Sequence, residues 1–167
     1  ENNLLITGAL CGDAARFEKT IASYNELPKA GEIVAIGLYG ETLDISFARV
    51  KSLAGLKKFP LLQRFEMAGG YSREVEHLAG IENLQILHLS TTAFPDGLDF
   101  LKSLKQLTSL DLGDCHIHQN YEYLADLKQL THLNLWRNKL TDVSFLPALG
   151  QLKHLNLGEN SIQNIQP

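Results

Sequence analysis

His88, Asp111, His132 and His154 follow one another at steps of 23, 21 and 22 residues, and their types could do chemistry. Two imidazoles flanking a carboxylate are what zinc accepts as ligands, and an imidazole beside a carboxylate is a common proton carrier in hydrolases. Arg64, Glu66, Trp136 and Arg137 add charge and an aromatic surface. A metal or catalytic role needs an enclosed site with fixed partners for each imidazole. Residues delivered by adjacent rows of an open surface serve recognition instead, so no metal, no cofactor and no catalysis are expected. The elements that deliver them decide the matter.

Those elements repeat. "LTHLNLWRNKL" from Leu130 matches "LTSLDLGDCHI" from Leu107, "LKHLNLGENSI" from Leu152, "LQILHLSTTAF" from Leu84 and "LQRFEMAGGYS" from Leu62. Successive starts lie 22, 23, 23 and 22 residues apart, and a weaker copy, "IVAIGLYGETL" from Ile33, precedes Leu62 by 29. A fixed period of this size marks a solenoid. Inside each copy the alternation L-x-L has period two, which predicts a short strand with both leucines on one face. One such coil cannot bury its leucines alone. Stacked coils make a parallel sheet whose inner face is a continuous core.

Position nine of the copy must turn inward and satisfy backbone groups in the bend after the strand, a task that suits a carboxamide with its acceptor and its donor. Asn138 and Asn160 fit, Cys115 substitutes, Thr92 is weaker, and Gly70 and Glu41 break the series. A regular C-terminal half and an irregular N-terminal half are therefore expected. Between strands, Leu140, Val143, Leu146 and Leu149 in one unit and Ile117, Leu124 and Leu127 in another should face the core from one or two helical turns, 3-10 in character. Phe47, Val50, Leu53 and Leu56 predict an α-helix between Asp44 and Phe59. Residues 13 to 27, capped by Asp13, predict another, and "NNLLITGAL" a strand in which Leu4 stands 29 residues before Ile33. Residues 1–32 then form an N-terminal cap with a helix, and 33–167 an array of about six units in one continuous domain.

From Leu62 to Ile165, and more loosely from Ile33, the chain resembles the leucine-rich repeat proteins. "LTDVSFLPALGQLKHLNLGENSI" is similar to the 22-residue class of bacterial internalins. The resemblance implies an α/β solenoid with a parallel concave sheet and short convex helices, which recognises another macromolecule, usually a protein, without catalysis of its own. The glycine-rich "MAGGYSREVEHLAG" and the 29-residue unit depart from that pattern.

If odd positions of each strand face solvent, they form a grid. Position three holds Ala35, Arg64, Ile86, Ser109, His132 and His154; position five Gly37, Glu66, His88, Asp111, Asn134 and Asn156; position seven Tyr39, Ala68, Ser90, Gly113, Trp136 and Gly158. Trp136 stands among small residues, so its ring either meets a partner, as tryptophan does at binding hot spots, or lies flat over Gly113 and Gly158. The partner-binding candidates are Trp136, His132, Asn134, Arg137, Asp111, His88, His154, Asn156, Glu66, Arg64 and Tyr39. The function expected is a non-enzymatic protein-interaction module. The alternatives are carbohydrate or peptide recognition on the same face, or a scaffold inside a larger chain.

Composition excludes other classes. A net charge of −4 with lysines and arginines scattered among acids offers no basic stripe for nucleic acid. No run of 18 apolar residues predicts membrane insertion. Cys11 and Cys115 read as separate thiols rather than a disulfide framework. "MAGG" and "TGALCGD" match neither a dinucleotide fingerprint nor a phosphate loop; Gly69 and Gly70 instead predict a left-handed bend. The lysines at 102, 105, 128 and 153 read as convex rim and strand approaches. A monomer is expected, in a secreted or cell-surface bacterial setting or in a cytoplasm, and the absence of an initial Met fits an excised or processed piece.

Overall fold

Alternating leucines force extended backbone, because only a strand sends successive side chains to opposite faces. In the computed structural model, which describes residues 3–7, 35–39, 56, 62–67, 70–71, 75–94 and 97–163, each of the six repeat runs holds such a strand. They are β2 (Ala35–Tyr39), β3 (Arg64–Met67), β5 (Ile86–His88), β7 (Ser109–Asp111), β8 (His132–Asn134) and β9 (His154–Asn156), preceded by β1 (Asn3–Thr7). Among the described residues these seven make one parallel sheet in the order β1-β2-β3-β5-β7-β8-β9. The register aligns Arg64, Ile86, Ser109, His132 and His154 in one row and Glu66, His88, Asp111, Asn134 and Asn156 in another. The grid read from the repeat is the grid of the sheet. Only the first strand is displaced: Leu4 pairs with Ile36, three residues later than the spacing to Ile33 placed it.

Stacking the coils buries the leucines as the pattern requires. Positions one, four and six, from Leu62, Phe65 and Met67 through Leu130, Leu133 and Leu135, are at most 4% exposed. Return segments close the core from the other side as 3-10 turns at Val75–Gly80, Asp99–Ser103, Tyr121–Asp126 and Leu146–Ala148. The tighter turn suits so short a return, since it advances about 2.0 Å per residue against 1.5 Å in an α-helix. Leu124, Leu127, Leu140, Val143 and Leu149 are buried, and Leu146 is half-buried. The helices expected over 13–27 and Asp44–Phe59 lie outside the described residues apart from Leu56, which is fully buried. Cys11 lies outside them too.

The inward ladder holds the bends. The Asn138 carboxamide oxygen accepts the backbone N–H of Cys115 (3.1 Å) and Ile117 (2.9 Å). Its amide donates to the carbonyls of Leu112, Leu135 and Trp136 at 2.9, 3.0 and 3.3 Å. Asn160 repeats the arrangement one coil on, donating to Leu135, Leu157 and Gly158 and accepting from Leu140 N–H. Cys115 keeps only the donor half, its Sγ–H reaching the Leu89 carbonyl at 3.1 Å. Where the series fails, backbone replaces side chain: β4 (Gly70–Tyr71) pairs in parallel with β6 (Thr92–Ala93), Gly70 opposite Thr92. This is the other support that the irregular N-terminal units needed.

Thr92 is the imperfect member. Its side chain is fully buried, yet its Oγ1 finds no hydrogen-bond partner among the described residues. A buried unsatisfied hydroxyl costs roughly 1–3 kcal/mol. Thr92→Val keeps the shape and removes that hydroxyl, so it should stabilise the domain by about 1 kcal/mol and raise the thermal midpoint by ~2–4 °C. Calorimetry showing a lower midpoint would mean that the hydroxyl has a partner in solution.

Position eight of each regular coil takes a left-handed backbone: Thr91, Asp114, Arg137 and Glu159 have φ of 59°, 54°, 54° and 52°. The chain turns out of the strand there. Of the two glycines assigned a bend by the sequence, Gly69 occupies the same position but lies outside the described residues, and Gly70 is instead in strand β4.

Candidate functional site

The polar residues of the grid on β5, β7 and β8 come from strands whose other faces are buried in the core, so the leucines between them fix their Cα positions; those on β9 flank Leu155, which is 41% exposed. His88, Asp111, His132, Asn134, Lys153, His154 and Asn156 line a hollow of about 480 Å³ on the open face of the sheet. Lys153, read from the sequence as a strand approach, belongs to this hollow. The signal was its place one residue ahead of His154, at the mouth of the last strand.

The position-five row acts chiefly on its own backbone. Asp111 Oδ1 accepts the N–H of Gly113 at 2.8 Å, Asn134 Oδ1 that of Trp136 at 3.0 Å, and Asn156 Oδ1 that of Gly158 at 3.1 Å. Each is an Asx turn two residues long, by which Asp and Asn favour bends. Asn134 Nδ2 also donates to Asp111 Oδ1 at 3.0 Å, tying adjacent coils. A second polar ladder thus runs on the outside of the bend, opposite the one inside. Sequence reasoning took these three residues as contacts for a partner, and Asp111 also as a carboxylate between imidazoles, but not as caps of their own backbone.

The histidines are held differently. His132 and His154 stack, with ring centroids 4.3 Å apart and planes 16° from parallel. Thr131 Oγ1 lies 2.9 Å from the Thr108 carbonyl, to which it can donate, and 2.8 Å from His132 Nδ1, which holds the ring in place. At the other end, Arg64 Nη1 donates to Glu66 Oε1 at 2.8 Å, which lies 3.5 Å from His88 Nδ1. His88 Nε2 meets Ser109 Oγ at 3.1 Å.

Trp136 is half-buried, and it leans on one glycine rather than two. A Cβ placed at Gly158 would come within 3.0 Å of its Cδ1, whereas one at Gly113 would meet Asn134 and Asp111 instead. Arg137 stands beside it, its Cζ 5.7 Å from the ring centroid. Arg137 also lies between two acids of the neighbouring coils, Asp114 Oδ2 at 3.4 Å and Glu159 Oε2 at 3.8 Å. Tyr39 ends β2, and its side chain lies outside the described residues.

None of the hydrogen bonds described joins Asp111 to His88 or His132, and among the described residues no three His, Cys, Asp or Glu side chains converge as metal ligands would. Cys115 is a buried free thiol. Burial pushes it up to about 12, against the Thr92 backbone N–H that pulls the other way, so it stays protonated and unreactive at neutral pH. No helix among the described residues is long and apolar enough to cross a membrane.

Comparison with known proteins agrees with this geometry. The family described as Leucine Rich repeats (2 copies) matches residues 105–148 and 128–167. No curated protein sequence matches the chain. Among solved structures, an internalin from Listeria monocytogenes superposes with a TM-score of 0.70 at 22% identity, over 83% of this chain and 38% of its own. Internalin C2 from the same organism gives 0.63 at 24% identity, over 82% of this chain and 66% of its own. The ectodomain of the Arabidopsis thaliana membrane receptor kinase GASSHO1/SCHENGEN3, solved in complex with Casparian strip integrity factor 2, gives 0.57 at 23% identity, over 77% and 16%. The chain spans less than two thirds of the length of each of these.

Proposed function

We propose that the chain is a leucine-rich repeat protein, a reading supported by the family match over residues 105–167 and by the internalin-like fold, and that it is a non-enzymatic module binding a protein partner on the open face of its sheet. The observation that carries the reading is the half-buried Trp136 with Arg137 beside it, at the margin of a polar hollow built on a rigid core. Aromatic and arginine anchors surrounded by polar groups are the anatomy of a binding patch. That the receptor ectodomain was solved with a bound factor supports the use of such a fold for recognition. One oxygen each of Asp111, Asn134 and Asn156 already serves a backbone N–H, which leaves fewer acceptors for sugar hydroxyls than the residue types suggest.

The test is affinity capture with quantitative mass spectrometry, using immobilised wild type, Trp136→Ala and a control outside the hollow, Lys105→Ala. Removing a hot-spot tryptophan commonly weakens binding by 2 kcal/mol or more, about 30-fold. Partners should therefore be lost with Trp136→Ala and kept with the control, at unchanged circular dichroism. Partners retained by the double variant Trp136→Ala, His132→Ala would show that this face is not the binding face.

A further inference from the structure

We propose that the hollow over β7 to β9 is a proton-linked docking groove for an acidic peptide segment of the partner, gripped by His132, His154 and Lys153 once the imidazoles are charged. The proposal rests on the reading that this face binds a protein and adds the chemistry of what it binds. Three observations carry it. The two rings stack at 4.3 Å with exposed side chains. Lys153 shares their end of the hollow. The acids nearby already have partners: Asp111 with Gly113 N–H and Asn134 Nδ2, and Glu66 with Arg64.

The charged and titratable groups facing the pair from neighbouring elements are Asp111 on β7, Lys153 at the start of β9, and, further along, His88 on β5 with Glu66 on β3. On the near side of the pair, β7 presents uncharged Ser109. The pair therefore has a cation and no uncommitted carboxylate beside it. Histidine is the side chain that changes charge between pH 5 and 8. One proton on the stack is tolerable, but a second places two like charges face to face at a separation where each disfavours the other. A carboxylate brought by a ligand removes that penalty, so binding takes up protons. Because the protonated form binds, affinity rises as pH falls and is lost as pH rises. Each proton taken up on binding gives up to a tenfold gain in affinity per pH unit, while glutamates of the ligand, with a reference pKa of about 4.3, stay ionised.

The probe is a labelled hexaglutamate peptide, with hexaglutamine as control, titrated by fluorescence anisotropy into the full chain at pH 7.5 and 5.5 and constant salt. Hexaglutamate affinity should rise tenfold or more at pH 5.5 and hexaglutamine affinity should not. The double variant His132→Gln, His154→Gln should lose the gain, and His116→Gln, His118→Gln, away from the hollow, should keep it. Absence of the gain, its survival in the His132 and His154 double variant, or equal binding of hexaglutamine overturns the proposal. Capture that still depends on Trp136 would then leave a protein-binding face of other chemistry, and capture independent of Trp136 would remove both readings.

Discussion

Replacing Asn138 by alanine should destabilise the domain by about 3–5 kcal/mol, as deletion from a buried hydrogen-bond network does. The residue is 6% exposed. Its carboxamide serves two N–H groups in the coil before it and three carbonyls divided between that coil and its own. Alanine leaves those groups facing apolar surroundings, and no repacking of leucines can replace a donor and an acceptor together. Small domains have about 5–15 kcal/mol of stability in all, so urea should unfold the variant at a much lower midpoint. Hydrogen exchange should speed up first at the amides of Cys115 and Ile117, which lose their acceptor. Asn160→Ala should cost less, about half as much, because the residue is only half-buried and its oxygen receives one N–H, from Leu140, against two at Asn138. A loss below about 1 kcal/mol for Asn138→Ala would be that of an ordinary surface change and would mean that the ladder is not what fixes the coils.

The reach of this argument follows what the sequence made legible. The leucine positions, the strand register and the inward asparagines were readable because each follows from a period that one residue type must obey. Two features escaped for a physical reason. The outward Asx ladder of Asp111, Asn134 and Asn156 occupies positions that face solvent, where a polar side chain is unremarkable in a sequence; only the distance to the N–H two residues on separates a backbone cap from a free contact. The left-handed bend at position eight is formed by Thr91, Asp114, Arg137 and Glu159, residues that share no chemistry. The sequence signalled such a bend only through Gly69, since glycine takes positive φ without steric penalty, and that residue lies outside the described ones. Side-chain partners across coils, such as the His132–His154 stack, were foreseeable as neighbours but not as ring geometry. Of the proposed contacts, Arg64, Glu66, His88 and Arg137 turned out to hold one another or nearby acids. That fixes their orientation and says nothing against their meeting a partner.

A second large effect separates residues that the repeat treats as equivalent. Leu133 and Leu155 occupy the same position of adjacent coils and pair directly in register, yet Leu133 is 2% exposed and Leu155 41%. The difference is geometric. β8 has β7 on one side and β9 on the other, so Leu133 is walled by Leu110 and Leu155, whereas among the described residues β9 pairs with β8 alone. Leu133→Ala opens a cavity between two layers and should cost about 3–4 kcal/mol, within the range for buried leucines. Leu155→Ala removes side-chain area that is already partly wet and should cost about 1 kcal/mol at the usual value per buried methylene. In a solenoid each coil is stabilised by its immediate neighbours. The outermost change should therefore be felt mainly as faster hydrogen exchange in β9, and the inner one as a fall in the global unfolding midpoint. Equal losses for the two variants would show that in solution Leu155 is covered by another surface, and the energetic boundary of the core would then have to be moved past β9.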